Sequence, residues 1–251
     1  MNKNHIKLIR SLELKKNRKR EGLFVAEGPK VVSDMLQAGY HARLLFSTTE
    51  RPGAEVITDE ELRKISFLQH PQEVLAVFEI PQSINSKPLT INFTLSLALD
   101  GIQDPGNLGT IIRIADWFGI STIYCSLDTV DVYNPKVVQA TMGSIAHVKM
   151  VYTDLPEFFR QLPHSCPVYG TLLDGENIYE QELTPEGIII MGNEGNGISE
   201  SIRQMVSKRL LIPHYSTGET HAESLNVAIA TAVICSEFRR RRPAILSNEN
   251  N

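Results

Sequence analysis

Apolar positions along the chain fall into two successive series in which strand-like runs alternate with helix-period faces, and the pattern predicts an α/β protein. In the first series Ile6, Ile9 and Leu12 lie to one side of a helix over residues 3 to 15. Leu23 to Ala26 then form a short strand, Pro29 to Gln37 a helix stopped by Gly39, and Leu44 to Phe46 another strand. Thr58 and Glu61 have the spacing of a capping box and open a helix to about Ser66, followed by a strand at Val74 to Phe78. IPQSINSKPLTIN, residues 80 to 92, has two prolines and little periodicity, so it reads as a linker.

The second series begins near Phe93. Leu95 to Leu99 is a strand, and a polar loop with Asp104, Pro105 and Gly106 leads into a helix carrying Ile111, Ile114, Ala115 and Phe118 on one face. Strands follow at Thr122 to Cys125, His147 to Val151, Val168 to Leu172, Gly187 to Met191 and Leu210 to Ile212. Helices are expected near Pro135 to Met142, from Pro156 to Leu162 behind an Asp154 cap, from Ser199 to about Val206, and from about Glu223 to Arg240. Asp174 to Glu176 reads as irregular. Strands interleaved with helices imply a mostly parallel sheet. The expected organisation is a small domain at 1–80, a linker at 81–92, a larger α/β domain at 93–243 and a disordered tail at 244–251.

Charge changes this picture at one place. Residues 1 to 20 hold eight Lys or Arg against Glu13 alone, so a chain of net charge −4 carries +7 there and −11 elsewhere. A local basic patch on an acidic protein suits a polyanion, and a solvated basic terminus is the alternative. Arg239 to Arg242 form a second cluster, in part the cations favoured at a helix C-terminus. Cys125, Cys166 and Cys235 are widely spaced in apolar or Pro-flanked segments, which argues for buried side chains over a disulfide framework or a zinc site; no metal is expected. No apolar run approaches the ~20 residues of a membrane helix, and the N-terminus lacks the apolar core of a signal peptide, so the expectation is a cytoplasmic protein without membrane contact.

Three stretches hold the candidate chemistry. In DGIQDPGNLGTIIRIADWFGI, Asn107 and Arg113 stand where a strand hands over to a helix, a common location for ligand sites; Asn107 as an N-cap and Arg113 paired with Asp116 are the structural alternatives. In IIIMGNEGNGIS, glycines follow a buried strand. Their spacing, Gly192, Gly195 and Gly197, is not that of a dinucleotide loop, and no acidic residue ends the next strand at Ile212, Pro213 and His214. Only 54 residues follow Gly197, which counts against an oxidoreductase reading without removing it, and no Gly-Lys-Ser/Thr follows, so a P-loop reading fails. Glu194 among those glycines is either functional or an exposed turn carboxylate. In THAESLNVAIATAVICSEF, Thr220 and Glu223 form a capping box, leaving Ser224 and Asn226 at the start of a helix apolar nearly all round, which predicts burial. Ala228, Ala230 and Ala232 permit close helix contact.

Taken together, D-P-G-N-L-G-T-I-I-R, G-N-E-G-N-G-I-S and E-S-L-N-V-A closely resemble the three motifs of the SpoU (TrmH-type) branch of the SPOUT RNA methyltransferases. The resemblance covers about residues 93 to 240, and FVAEGPKVV, residues 24 to 32, looks like the start of the ribosomal-protein-like RNA-binding domain that precedes the catalytic domain in many members. It implies an S-adenosylmethionine-dependent ribose 2′-O-methyltransferase acting on ribosomal RNA in preference to transfer RNA, with a catalytically inactive RNA-binding module as the alternative. It implies a homodimer and a parallel sheet whose C-terminal segment threads a deep trefoil knot. Cofactor contacts map to Thr171, Leu172, Met191, Gly192, Ile212, Pro213, Ser224 and Leu225, and the catalytic set to Asn107, Arg113, Glu194, Ser224 and Asn226. An arginine has been viewed in this family as the activating residue. Because a guanidinium stays protonated, the expected role of Arg113 is to bind the target phosphate or the developing oxyanion. Asn107 and Asn226 would orient the ribose, and Glu194 would hold Arg113 or accept a hydrogen bond from the RNA. HYSTGETHA, residues 214 to 222, departs from the family pattern by a few extra residues; His214 and His221 in it read as solvent-exposed.

Overall fold

A computed structural model of the chain describes residues 1–81, 94–216 and 224–240. These divide into two compact units. One takes its residues from 1–90, 104–113 and 130–149, the other from 91–103, 114–129 and 150–251. Of the expected linker only residue 81 is described, and the expected tail lies outside the described residues.

The chain opens with α1 (Lys3–Ser11), capped by the Asn2 side chain, and α2 (Lys15–Glu21), which ends at Gly22 in the left-handed region. β1 (Leu23–Glu27), α3 (Pro29–Gln37), β2 (Ala42–Ser47), β3 (Glu55–Val56), α4 (Asp59–Ile65) and β4 (Val74–Glu79) follow. The four strands form one sheet in the order β1-β4-β2-β3, with β4 antiparallel to β1 and β2. Ile9, Leu12, Val25, Phe46, Leu62, Ile65, Leu75 and Val77 pack on it as one core. The Thr58–Glu61 capping box is present in both directions.

The helix expected over residues 3 to 15 stops at Ser11, and a second helix, not expected, begins at Lys15. Arg18 is the cause: its Nη1 donates to the carbonyls of Leu12 (2.8 Å) and Glu13 (2.7 Å), acceptors that a continuous helix would use for its own ladder. Its Nε and Nη2 donate to Asp131 at 3.0 and 2.6 Å. Arg18 is thus buried, and one of the eight cations of the basic segment is structural. Lys15, Lys16, Lys19 and Arg20 remain exposed on α2.

From Leu95 the elements are β5 (Leu95–Asp100), α5 (Pro105–Trp117), β6 (Thr122–Cys125), α6 (Pro135–Ala140), β7 (Lys149–Tyr152), α7 (Leu155–Arg160), β8 (Val168–Asn177), β9 (Gly187–Gly192), α8 (Glu200–Arg203), β10 (Lys208–Leu211) and α9 (Val227–Arg240). The sheet runs β10-β8-β9-β5-β6-β7, and β5 pairs parallel with β6 and β9, as β8 does with β9 and β10. Tyr124, Phe158, Val168, Ile188, Ile190, Ile198 and Ile202 share its core. Gly109 in α5 is required by a close approach: a Cβ there would lie 2.4 Å from that of Ala140 on α6.

Two expectations are corrected. Residues 174–176, read as irregular, belong to β8. The last helix begins at Val227 instead of about Glu223, and it is not buried all round. Val227, Ala228, Thr231, Ile234, Cys235 and Phe238 face inward, while Ile229 is 54% exposed on the opposite side. Arg239 at its end donates to the carbonyls of Phe118 (2.7 Å) and Gly119 (3.1 Å), so this cation secures the turn after α5. Among the described residues no helix is long and apolar enough to cross a membrane, and no group of three or more His, Cys, Asp or Glu is placed to hold a metal ion.

Cys125 and Cys235 are buried and Cys166 is half-buried; burial raises all three thiol pKa values, that of Cys235 to about 12, and Cys166 is the thiol that a reagent can reach. A thiol is nucleophilic only as the thiolate. At pH 8 the native chain should therefore react with an aromatic disulfide reagent at Cys166 alone on the minutes timescale, and at all three thiols after denaturation. Fast release of three equivalents from the native chain would contradict this packing.

Candidate active site

The C-terminal ends of β5 and β9 lie side by side, with Asp100 opposite Gly192. β6 flanks β5 on one side and β8 flanks β9 on the other, so the loops after the two central strands diverge. Such a switch point opens a crevice at the carboxyl ends of a parallel sheet.

Side-chain and backbone hydrogen bonds stitch these two loops together. Asn193 Nδ2 donates to the Gly101 carbonyl at 2.6 Å, and the Asp100 carboxylate accepts from the Ser199 N–H at 2.7 Å. Asn193 Oδ1 also accepts from the N–H groups of Gly195 (2.9 Å) and Asn196 (3.0 Å), shaping the glycine-rich turn. The turn closes so tightly that a Cβ at Gly192 would stand 2.3 Å from the Gly197 backbone. Glu194 is exposed, and its Oε2 accepts from the Gln103 N–H at 3.4 Å. A Ser126–Thr129 hydroxyl pair (2.9 Å) lies beneath, and Ser126 Oγ accepts from the Gly101 N–H at 2.8 Å.

At the start of α5, the alternative that made Asn107 the N-cap does not hold. Asp104 does that work: its Oδ1 accepts from the Asn107 N–H at 2.8 Å, and its carbonyl from the Leu108 N–H. Asn107 is half-buried in the first turn, and Arg113 is exposed further along the same helix.

The remaining candidates surround β8. Val168, Tyr169 and Gly170 pair with β9, and Tyr169 and Gly170 also pair with β10, whose register then jumps from Gly170 to Glu176. Residues 171–175 form an excursion between these pairings, anchored by Thr171 Oγ1 donating to the Ile190 carbonyl at 2.9 Å. Thr171 is half-buried and Leu172 buried in it. Met191 and Gly192 end the neighbouring strand β9, and Ile212 and Pro213, both half-buried, follow β10. Backbone released from a ladder must find other partners. Backbone N–H and C=O groups at the ends of three adjacent strands are donors and acceptors of the kind a purine nucleoside pairs with.

Ser224, Leu225 and Asn226 are exposed. Asn226 is the cap of α9, its Oδ1 accepting from the N–H groups of Ala228 (2.9 Å) and Ile229 (3.3 Å). The expected Thr220–Glu223 capping box and His221 lie outside the described residues; His214 is exposed. Asp100, Gln103, Asn193 and Ser126 escaped the reading of the sequence. Asn193 stood inside a recognised motif, whereas Asp100 and Gln103 meet partners 99 and 91 positions away and Ser126 accepts from Gly101 25 positions away, which left no local signal.

The chain matches the model of the SpoU rRNA Methylase family over residues 94–236 and that of the MRM3-like substrate binding domain over residues 3–76. It is 29% identical to the 23S rRNA (guanosine(2553)-2′-O)-methyltransferase RlmP of Bacillus subtilis over 245 residues, 93% of this chain and 95% of that protein. Among solved structures, a TrmH-family protein from Porphyromonas gingivalis aligns at a TM-score of 0.84 and 40% identity, covering 96% of this chain and 99% of the other. An AdoMet-bound rRNA methyltransferase from Sinorhizobium meliloti aligns at 0.81 and 31%, covering 95% of each.

Proposed function

Because this chain belongs to the SpoU rRNA methylase family, we propose that it methylates a ribose 2′-hydroxyl of ribosomal RNA, using S-adenosylmethionine as methyl donor. The observation that carries the reading is the switch point between β5 and β9, where the glycine-rich family motif at 192–199 is hydrogen-bonded to Asp100, Gly101 and Gln103 at the end of β5. S-Adenosylmethionine, when bound, supplies an electrophilic methyl group on a sulfonium. Thr171, Leu172, Met191, Gly192, Ile212, Pro213, Ser224 and Leu225 would hold it, chiefly through backbone.

The chain's own task is to align and activate an oxygen nucleophile, since an in-line displacement depends on approach geometry. Arg113 binds the target phosphate or the oxygen as it gains charge; a permanently protonated guanidinium suits either role and does not suit that of a base. Asn107 and Asn226 orient the ribose. Glu194 accepts from Arg113 or from the RNA, and Ser224 completes the set. Ribosomal RNA is preferred to transfer RNA on two grounds: the relative from B. subtilis acts on 23S rRNA, and the MRM3-like substrate binding domain adds a module suited to a large structured target. The C-terminal segment passes through a trefoil knot in this reading.

The decisive experiment incubates the chain with labelled S-adenosylmethionine and unmodified 23S rRNA, then maps 2′-O-methyl positions. One new site is expected; no transfer to ribosomal or transfer RNA, with the cofactor bound, would leave the inactive binding module as the better reading.

The active chain is a homodimer in this proposal, with α9 at the interface. Leu225 and Ile229 are 52% and 54% exposed, and Ala230 and Ala232 beside them are small enough for close helix approach. Light scattering should give twice the chain mass of 28.1 kDa, and Ile229→Glu should return the value to one chain.

A further inference from the structure

A second cavity, of about 280 Å³, lies within the unit that carries the basic segment. Glu27, Phe67, Leu68, Lys136 and Gln139 line it. Glu27 is 5% exposed, an unusual state for a carboxylate with no cation hydrogen-bonded to it among the described residues. Its Oε2 accepts from the Ser66 hydroxyl and its Oε1 from the Phe67 N–H at 2.8 Å. These two bonds leave each oxygen with further acceptor capacity. Burial raises the pKa of Glu27, against the lowering effect of Ser66, Phe67 and Arg10, so the carboxylate gains from any added donor. The ring of Phe67 is braced by the Arg10 guanidinium 5.1 Å from its centroid, and Arg10 Nη1 is itself held by the Ser66 carbonyl at 2.8 Å.

A volume slightly under the ~300 Å³ of small-ligand pockets suits one nucleobase. Proteins recognise RNA sequence largely by taking unstacked bases onto aromatic rings and reading their edges. A carboxylate reads donors only. Uracil shows one imide N–H between two carbonyls, and adenine and cytosine each set an amino group beside a ring acceptor. Guanine alone presents two adjacent donors, N1–H and the N2 amino group. We propose that this cavity receives a single unpaired guanine of the RNA substrate, with the Glu27 carboxylate accepting from its N1–H and N2 amino group beside Phe67, and exposed Lys136 at the mouth meeting the adjoining phosphate. This proposal rests on the reading of the chain as an RNA-modifying enzyme. It makes Glu27 a specificity residue that takes no part in the methyl transfer itself.

The test is a titration of the full-length, isotope-labelled chain with GMP, IMP, AMP, CMP and UMP, following the Phe67 and Leu68 amide resonances. Saturable shifts with GMP are expected, with binding of IMP, which lacks the N2 amino group, weaker by about tenfold. AMP, CMP and UMP should leave those resonances in place. Glu27→Gln, which puts an amide donor against guanine's donors, should abolish the GMP response. Gln139→Trp, which fills the cavity from α6, should do the same, and it decides the matter if Glu27→Gln does not fold. Equal response to all five nucleotides, no response, or an unchanged GMP response in Gln139→Trp would overturn the proposal. S-Adenosylmethionine affinity, measured on the same samples, separates the two failures. Cofactor binding without GMP binding removes the pocket alone, while absence of cofactor binding in the native chain removes the enzyme reading beneath it.

Discussion

Replacing Arg113 by lysine is expected to lower kcat by about 10² to 10³ while RNA affinity stays within about threefold. Lysine keeps the positive charge, so the sequence-independent attraction to phosphates survives. It loses the planar fork that fixes two oxygens at once, and a flexible ammonium cannot hold a developing charge in one place. The pH dependence separates the proposed role from proton removal. A lysine can give up its proton at alkaline pH and a guanidinium cannot, so a general-base role at this position would let Arg113→Lys recover activity between pH 9 and pH 10. Single-turnover rates from pH 6 to pH 10 should instead follow parallel pH profiles in the two proteins, offset by the loss in kcat. Activity of the lysine variant equal to that of the native chain would remove Arg113 from the catalytic set.

The second large effect is on stability. Arg18→Met should destabilise the chain by about 3–5 kcal/mol, because it leaves Asp131 without its cation and the carbonyls of Leu12 and Glu13 without their donor. For a chain of this size that corresponds to a melting temperature lower by about 6–20 °C. Asp131→Leu in the Arg18→Met background removes the stranded carboxylate and should restore about half of the loss, with the remainder assigned to the two carbonyls. Arg20→Met is the control. Arg20 is 67% exposed beside Glu21, and its loss should change stability by less than about 0.5 kcal/mol. Equal effects at Arg18 and Arg20 would mean that the break between α1 and α2 has another cause.

Those two arginines also mark how far the sequence could be read. Period and caps located nearly every strand and long helix, since an apolar face is written locally: Thr58 and Glu61 announced α4, and Leu95 to Leu99 announced β5. Arg18 could not be told from its neighbours in KKNRKRE, because its partner Asp131 stands 113 positions away. The same distance in sequence hid Asp100, which accepts from Ser199, and Gln103, which donates to Glu194. The extent of β8 was missed because 171–175 break the alternation while Glu176 and Asn177 pair again. Asn107 looked like a cap because asparagine caps well; Asp104, three residues earlier, held the position first. Motif residues were therefore visible as chemistry, and the groups that orient them were visible only in three dimensions.

The departure of β8 from its neighbours at 171–175 has an evolutionary consequence. In the proposed cofactor site, a floor built from main chain would recognise its ligand by path, not by side-chain identity. Thr171 and Gly175 are pinned by the Ile190 carbonyl and the Leu210 backbone, whereas Leu173 points to solvent at 77% exposure. Substitutions at Leu173 can therefore accumulate among descendants of this protein without loss of cofactor affinity, while one added methyl at Gly175 would not be tolerated.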